Sequence, residues 1–268
     1  MKYLNDISYK DCVGKVCKSK SSGDFKIVKY NDSKNVEIQF LKTGYETTVE
    51  LGSIRNGKVK DPYSPSVFGV GMLGAKYPST INGVNTKEYV LWKSMLERCY
   101  SDKYQKKQPT YKDCEVSENF KYYEYFYEWC QNQIGFGECG FQLDKDLLIK
   151  GNKVYSEDSC VFIPQEINTL LTKRTASRGE YLIGVTFEKS SGKFISQISV
   201  NGRNVKIGRF KTEIEAFEAY KEGKENVLRG LAEKWKSQID PRAYEALMNY
   251  QVEITDWLKS IKLRRTNM

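Results

Sequence analysis

The sequence predicts an α+β fold in three parts, residues 1–72, 73–175 and 176–268. Three observations predict it. The first part reads as short strands cut by turn clusters. The second opens with apolar residues at helical spacing. The third sets two hairpin turns ahead of a helix with a capping box. At 268 residues, with 40% hydrophobic and 13% aromatic content, the chain has the length for two or three small domains and the composition of a globular protein.

In the first part, "GKVCKS", "DFKIVKY", "NVEIQFL" and "ETTVELGSI" alternate with turn clusters at Ser21–Asp24, Asn31–Asn35 and Thr43–Gly44. Short strands at this spacing predict a small SH3-like β-barrel. "KDPYSPSVFGVGMLG" follows, and its two prolines and three glycines predict a covering segment and linker. Lys58 and Lys60 read either as phosphate contacts or as solvated surface. In the second part, Thr86 predicts an N-cap for a helix carrying Val90, Leu91, Met95, Leu96 and Cys99, with Trp92 beside that stripe. A second helix is expected from Ser117 to Cys130, where Phe120, Tyr123, Phe126, Tyr127 and Trp129 read as core. A strand at "FQLDKD", a loop at "LIKGNKVY", a capped turn at "SEDSC" and a tail "VFIPQEIN" complete the part.

The third part, from "YLIGVTFEKSSGKF" onward, reads as three strands and a helix. Ser190–Gly192 makes the first hairpin turn and Asn201–Gly202 the second, since Asn-Gly supplies the positive φ angles such turns need. Thr212 and Glu215 form a capping box. The helix behind it shows Ala216, Phe217, Ala219, Tyr220 and Val227 on one face. Asp240 and Pro241 start a further helix with Tyr244, Leu247 and Met248, then Trp257 and Leu258.

The net charge is +9, which favours a polyanionic partner, commonly nucleic acid. Residues 1–72 carry 12 Lys+Arg against 8 Asp+Glu, residues 73–175 carry 14 of each, and residues 176–268 carry 17 against 12. Basic ends predict grip, and the balanced middle predicts another task. "KLRR" at Lys262–Arg265 reads as a frayed terminus or a phosphate contact. No apolar run reaches membrane length, and "MKYLNDISYKDC" lacks a signal-peptide core. A cytoplasmic protein is expected. Seven cysteines without a CxxC pair, and no histidine at all, argue against zinc and against a disulfide framework.

"FQLDKDLLIKGNKVYSEDSCVFIPQEIN", Phe141–Asn168, resembles the ββα-metal fold of phage HNH nucleases. "TGYETTVELGSIRNGKVKDPYSPSVFGVGMLG" is similar to the N-terminal module of phage proteins of the homing-endonuclease type. The HNH resemblance puts Asp144 at the first metal-ligand position and Lys145 where the general-base histidine belongs. Asn152 lies in the loop, Ser159 falls at the second ligand position, and Cys160, Phe162, Gln165 and Asn168 match the tail. Histidine suits the base role because its unperturbed pKa is about 6.5. Lysine's is about 10.4, so converting it to a base at pH 7 costs about 4 to 5 kcal/mol. Asp144 and Asp146, two apart on a strand, are expected to share one Mg²⁺, with Glu157 and Asp158 near in sequence. Otherwise Asp144, Lys145 and Asp146 close a solvated strand end.

"GV…GKF…I…KIGRFKT…EA…AY", over residues 180–225, resembles the AP2/ERF DNA-binding domain, which reads the major groove with the exposed face of its sheet. The corresponding positions are Lys193, Gln197, Ser199, Asn204 and Lys206, flanked by Arg203 and Arg209. These residues are shorter and less cationic than the family's, so its base preference does not transfer.

The resemblances together imply a double-stranded DNA-binding protein of homing-endonuclease architecture in a bacterial host. In one form it is a Mg²⁺-dependent endonuclease. In another it is a non-cleaving regulator or blocker derived from one. A third form is a phage interaction protein that inhibits a host factor.

Overall fold

The computed structural model describes residues 12–172, 180–200 and 202–254. Asn201 of the second expected turn, Trp257, Leu258 and the Lys262–Arg265 cluster lie outside the described residues. The chain is mixed α+β with several antiparallel sheets. It divides into two compact units. One holds the residues up to Cys130 together with Val154–Glu157, and the other holds Gln131–Lys153 and the residues from Asp158 onward.

The first unit begins with β1 (Val16–Ser19), β2 (Gly23–Asp32), β3 (Asn35–Phe40) and β4 (Glu46–Val49), paired antiparallel in that order. Val36, Ile38 and Phe40 alternate inward along β3 and meet Phe25 and Ile27 of β2, as a half-buried strand requires. The expected barrel is corrected here, because the four strands form an open sheet rather than a closed one. "LGSI" does not extend the fourth strand either. It forms α1 (Leu51–Arg55), whose Leu51 and Ile54 are buried three residues apart, the spacing of a helix turn.

Next come the small hairpin of β5 (Thr80–Ile81) and β6 (Val84–Asn85), then α2 (Lys87–Tyr100), α3 (Asp102–Lys107), β7 (Glu115–Val116) and α4 (Tyr123–Gln131). Thr86 caps α2 by accepting a hydrogen bond from the Tyr89 N–H. The buried stripe is Trp92, Met95, Leu96 and Cys99. The expected stripe is therefore corrected at its start, since Val90 is exposed and Trp92 is fully buried. The Trp92 indole N–H donates to the Phe120 carbonyl at 2.7 Å, which satisfies its one polar group inside the core. The segment expected as a linker is packed instead. A Cβ on Gly71 would strike Trp92 and Leu96, and Met72 exchanges backbone hydrogen bonds with Lys121 and Tyr123. That exchange holds Tyr122 extended, so the single helix expected over 117–130 is a 3₁₀ turn at Asn119–Lys121 followed by α4.

The second unit contains β8 (Phe141–Asp144). The next strand in sequence, β9 (Val154–Tyr155), belongs to the first unit, where it pairs in parallel with β7. Then follow β10 (Val161–Pro164), antiparallel to β8, and α5 (Gln165–Leu171). A three-stranded antiparallel sheet comes next: β11 (Val185–Glu188), β12 (Lys193–Val200) and β13 (Arg203–Phe210), in sequential order. α6 (Glu213–Trp235) and α7 (Pro241–Met248) complete it. The Thr212–Glu215 capping box forms as the sequence predicts, and Asp240 caps α7. The first half of α6 buries Ala216, Phe217 and Tyr220 with Val185 and Ile198 of the sheet. Its second half buries Leu228 and Ala232 with Val161, Ile163 and Ile167, alongside Ile239, Ala243 and Leu247.

Gly184 sits where the chain enters β11 with φ of 77°, and a Cβ there would overlap the Tyr220 ring. Gly192 has a similar φ of 64° but open space around it. Gly184→Ala is expected to cost roughly 2–4 kcal/mol, from backbone strain plus overpacking. Gly192→Ala should cost only the left-handed backbone penalty of roughly 1–2 kcal/mol. Urea midpoints of the two variants against the parent check the difference.

Candidate functional site

The Phe141–Asn168 stretch folds as a ββα unit made of β8, β10 and α5. Asp144 pairs with Val161 at the end of the hairpin, and Phe141 with Pro164. Asn168 on α5 donates its amide to the Gln142 side chain at 2.7 Å, tying the helix back to β8. α6 braces the same unit: Glu166 accepts from Lys234 and from the Trp235 indole, both at 2.6 Å, and Trp235 meets Phe141 edge-on.

β8 stops at Asp144, so the expected strand alternation of Asp144 and Asp146 is corrected. Asp144 Oδ1 accepts from the backbone N–H groups of Asp146 (2.9 Å) and Leu147 (2.7 Å) and turns the chain. Lys145 is buried. Its Nζ donates to Asp146 Oδ1 at 2.6 Å and to the Asn152 carbonyl at 2.8 Å, while the Asn152 amide donates to the Lys145 carbonyl at 2.9 Å. Lys145 and Asn152 thus clasp the ends of the 145–152 loop. Burial pushes the Asp144 carboxyl above its usual range, and the Asp146 charge adds to this, against the lowering effect of the two backbone N–H groups.

Ser159 is corrected too. It is buried in a turn before β10 and lies on no helix, because the helix of this unit begins only at Gln165. Glu157 belongs to the first unit and accepts from Ser117 (3.1 Å) and Asn119 (2.8 Å). Asp158 is exposed. Among the described residues, no group of three or more Asp, Glu, Cys or His side chains gathers to hold a metal. Asp144 Oδ2 and Asp146 Oδ2 take no part in the hydrogen bonds above. Two carboxylates are a donor set Mg²⁺ accepts only when water and substrate phosphates complete its shell.

The second candidate surface is the outward face of the β11–β12–β13 sheet. Residues paired across strands share a face. The pairs Thr186–Ile195, Glu188–Lys193, Ile195–Arg209, Gln197–Lys206 and Ser199–Asn204 therefore look away from α6. Six of the seven expected DNA-contact residues come together here: Lys193, Gln197, Ser199, Asn204, Lys206 and Arg209. Arg203 pairs with Val200 and lies on the other side of the register. A β-bulge at Ile207–Gly208 keeps both phases consistent, with Ile207 turned toward Gly223 of α6.

Sequence reasoning missed Glu188. It holds Arg209 through two bonds, Nε–Oε2 at 2.8 Å and Nη2–Oε1 at 3.1 Å, and Lys206 Nζ stands 3.9 Å away. These bonds, led by Arg209 and then Ser191, hold the Glu188 carboxyl down at about 2. The only hint in the sequence is its position opposite Lys193 across a tight hairpin. A second missed group surrounds Arg98, whose charge was hidden by averaging over a balanced third of the chain.

With fold and sites described, comparison with known protein families, curated proteins and solved structures finds no match for the chain. Among the described residues no helix is long and apolar enough to cross a membrane.

The raised Asp144 pKa fixes the sign of a pH effect. The fold disfavours the ionised form, so the charge costs stability at neutral pH. That cost disappears as pH falls through the folded pKa and the folded state takes up a proton first. An Asn side chain accepts the same two backbone bonds without charge. Asp144→Asn should therefore raise the urea midpoint at pH 7 and lose that advantage near pH 3. Asn152→Ala should lower the midpoint at both, by about 1–2 kcal/mol for the broken clasp.

Proposed function

We propose that the chain is a double-stranded DNA-binding protein of phage HNH/AP2 homing-endonuclease type, working in the cytoplasm of a host bacterium and docking the outward face of its three-stranded sheet on the duplex. The observation that carries this is the convergence of Lys193, Gln197, Ser199, Asn204, Lys206 and Arg209 on one face of a sheet backed by α6. Amides and hydroxyls suit base edges, and Lys and Arg suit phosphates. In this reading the ββα unit serves as a non-cleaving scaffold, because Lys145 is buried and hydrogen-bonded within the loop.

The experiment is a titration of the full chain with labelled duplexes over a range of salt. Affinity should fall steeply with salt through counterion release. Lys206→Ala should weaken all sequences alike and reduce the salt slope by about 0.9. Gln197→Ala should change discrimination between sequences by about 1–3 kcal/mol at the base it reads. Glu188→Gln should tighten binding by releasing Arg209 and Lys206 to the phosphates. Salt-independent or absent binding would overturn the proposal.

Cleavage is the second reading, favoured by the two Asp144 and Asp146 oxygens outside the loop's hydrogen bonds and by the stability that the Asp144 charge costs. In that reading Mg²⁺ rests on these carboxylates and the substrate's phosphates. Supercoiled plasmid incubated with Mg²⁺, Mn²⁺ or chelator separates the two. Nicking that requires metal and vanishes in Asp144→Ala, with duplex affinity unchanged, would replace the scaffold reading with this one.

A further inference from the structure

Arg98 on α2 is a cation without an internal counter-charge. Its Nε is buried and has no hydrogen-bond partner, while the residue as a whole stays partly exposed. Its Nη1 donates to the Tyr155 hydroxyl at 3.4 Å, and its guanidinium lies 5.6 Å from the Tyr111 ring centre. Among the described residues the ion pairs of the first unit include neither Arg98 nor Lys103, Lys106 or Lys107 of α3. The stretch "RCYSDKYQKKQPTYK", residues 98–112, thus carries Arg98, Lys103, Lys106, Lys107 and Lys112 against Asp102 alone, with three tyrosines interleaved. The three α3 lysines are exposed.

We propose that Arg98, with Tyr155 and Tyr111 around it and the α3 lysines beside it in the chain, forms an oxyanion site for the phosphodiester backbone of DNA, a second grip in the first unit. It rests on the DNA-binding reading above. A half-buried guanidinium with no carboxylate nearby is costly to keep. The planar guanidinium fork suits a phosphate, which takes two parallel hydrogen bonds. The lysines extend the positive surface along a strand, and basic residues interleaved with aromatics are the ordinary footprint of nucleic-acid contact. The purely structural alternative is that the tyrosines alone solvate Arg98.

The test uses the full chain in two measurements. In the first, duplex affinity is followed against salt for the parent, Arg98→Lys and the triple variant K103A/K106A/K107A. The triple variant changes only exposed side chains and keeps the fold. It should lower the salt slope by about 2–3, at about 0.9 per phosphate contact. Arg98→Lys keeps the charge but loses the fork, and should weaken binding about tenfold with little change in slope. In the second measurement, melting is compared in inorganic phosphate and in chloride at equal ionic strength. Phosphate should raise the melting temperature of the parent and not of Arg98→Lys. A phosphate shift with an unchanged DNA slope would keep the oxyanion site but overturn its DNA source. No phosphate shift, an unchanged slope in the triple variant and unchanged affinity in Arg98→Lys would overturn the inference outright. If Lys206→Ala still weakens binding in that case, the sheet proposal stands without this one.

Discussion

Helix α6 has to close two apolar surfaces with one continuous rod. Its 23 residues span about 34 Å. Near the N-terminus Phe217 and Tyr220 fill the underside of the three-stranded sheet, and near the C-terminus Leu228 and Ala232 fill the underside of the ββα unit. Each large apolar side chain so buried is worth roughly 1.5–3 kcal/mol, so neither layer can detach without exposing half of the helix. Between the two cores the helix buries Lys224 and Glu225, and Glu225 accepts from the Val252 N–H at 2.9 Å while Arg229 pairs with it at 3.5 Å. The outward sheet face and the Asp144–Asn152 loop are thereby carried on a single rigid element. Capping at Thr212 and Glu215 fixes where that element starts and hence which residues meet the sheet.

Charge is placed in two different ways in the second unit. At the loop, a cation is used internally: Lys145 is buried and hydrogen-bonded to Asp146 and to the Asn152 carbonyl, which closes the loop. On the sheet, Arg209 and Lys206 are held at the surface by Glu188, a carboxylate that keeps them ordered and partly neutral toward an approaching polyanion. Such an arrangement sets a cost on releasing the cations. Asp144 stands apart, since its charge is disfavoured by burial and nothing in the turn requires a charged acceptor.

Local signals were legible where their cause is local. Thr86, the Thr212–Glu215 box, Asp240–Pro241 and the hairpin turn at Ser190–Gly192 act within a few residues, and the helices and strands they predict are present. Lys193, Gln197, Ser199, Asn204 and Lys206 follow from alternation, and Arg209 joins their face only through the β-bulge at Ile207–Gly208. Errors arose where a distant partner decides. Val90 looked core because the stripe was counted from the cap, but the Phe120 carbonyl and the Gly71 segment select Trp92. The helix expected over 117–130 breaks at Tyr122 because Met72, fifty residues earlier in the chain, claims its neighbour's backbone. The barrel expected from four short strands stays an open sheet, with α1 in place of a strand extension.

The sequence by itself determined the class of most segments, the helix caps, the Ser190–Gly192 turn, the absence of histidine and the excess of positive charge. These follow from steric preference, hydrogen bonding over short separations and simple counting. Only the tertiary structure decided what the charged side chains do. It committed Lys145 to the loop, gave Glu188 to Arg209, placed Arg203 off the common face, left Arg98 without an ion pair among the described residues and put Ser159 in a buried turn. The physical reason is that a charge is worth little until its partners and its burial are known, and both are set by residues far away in sequence.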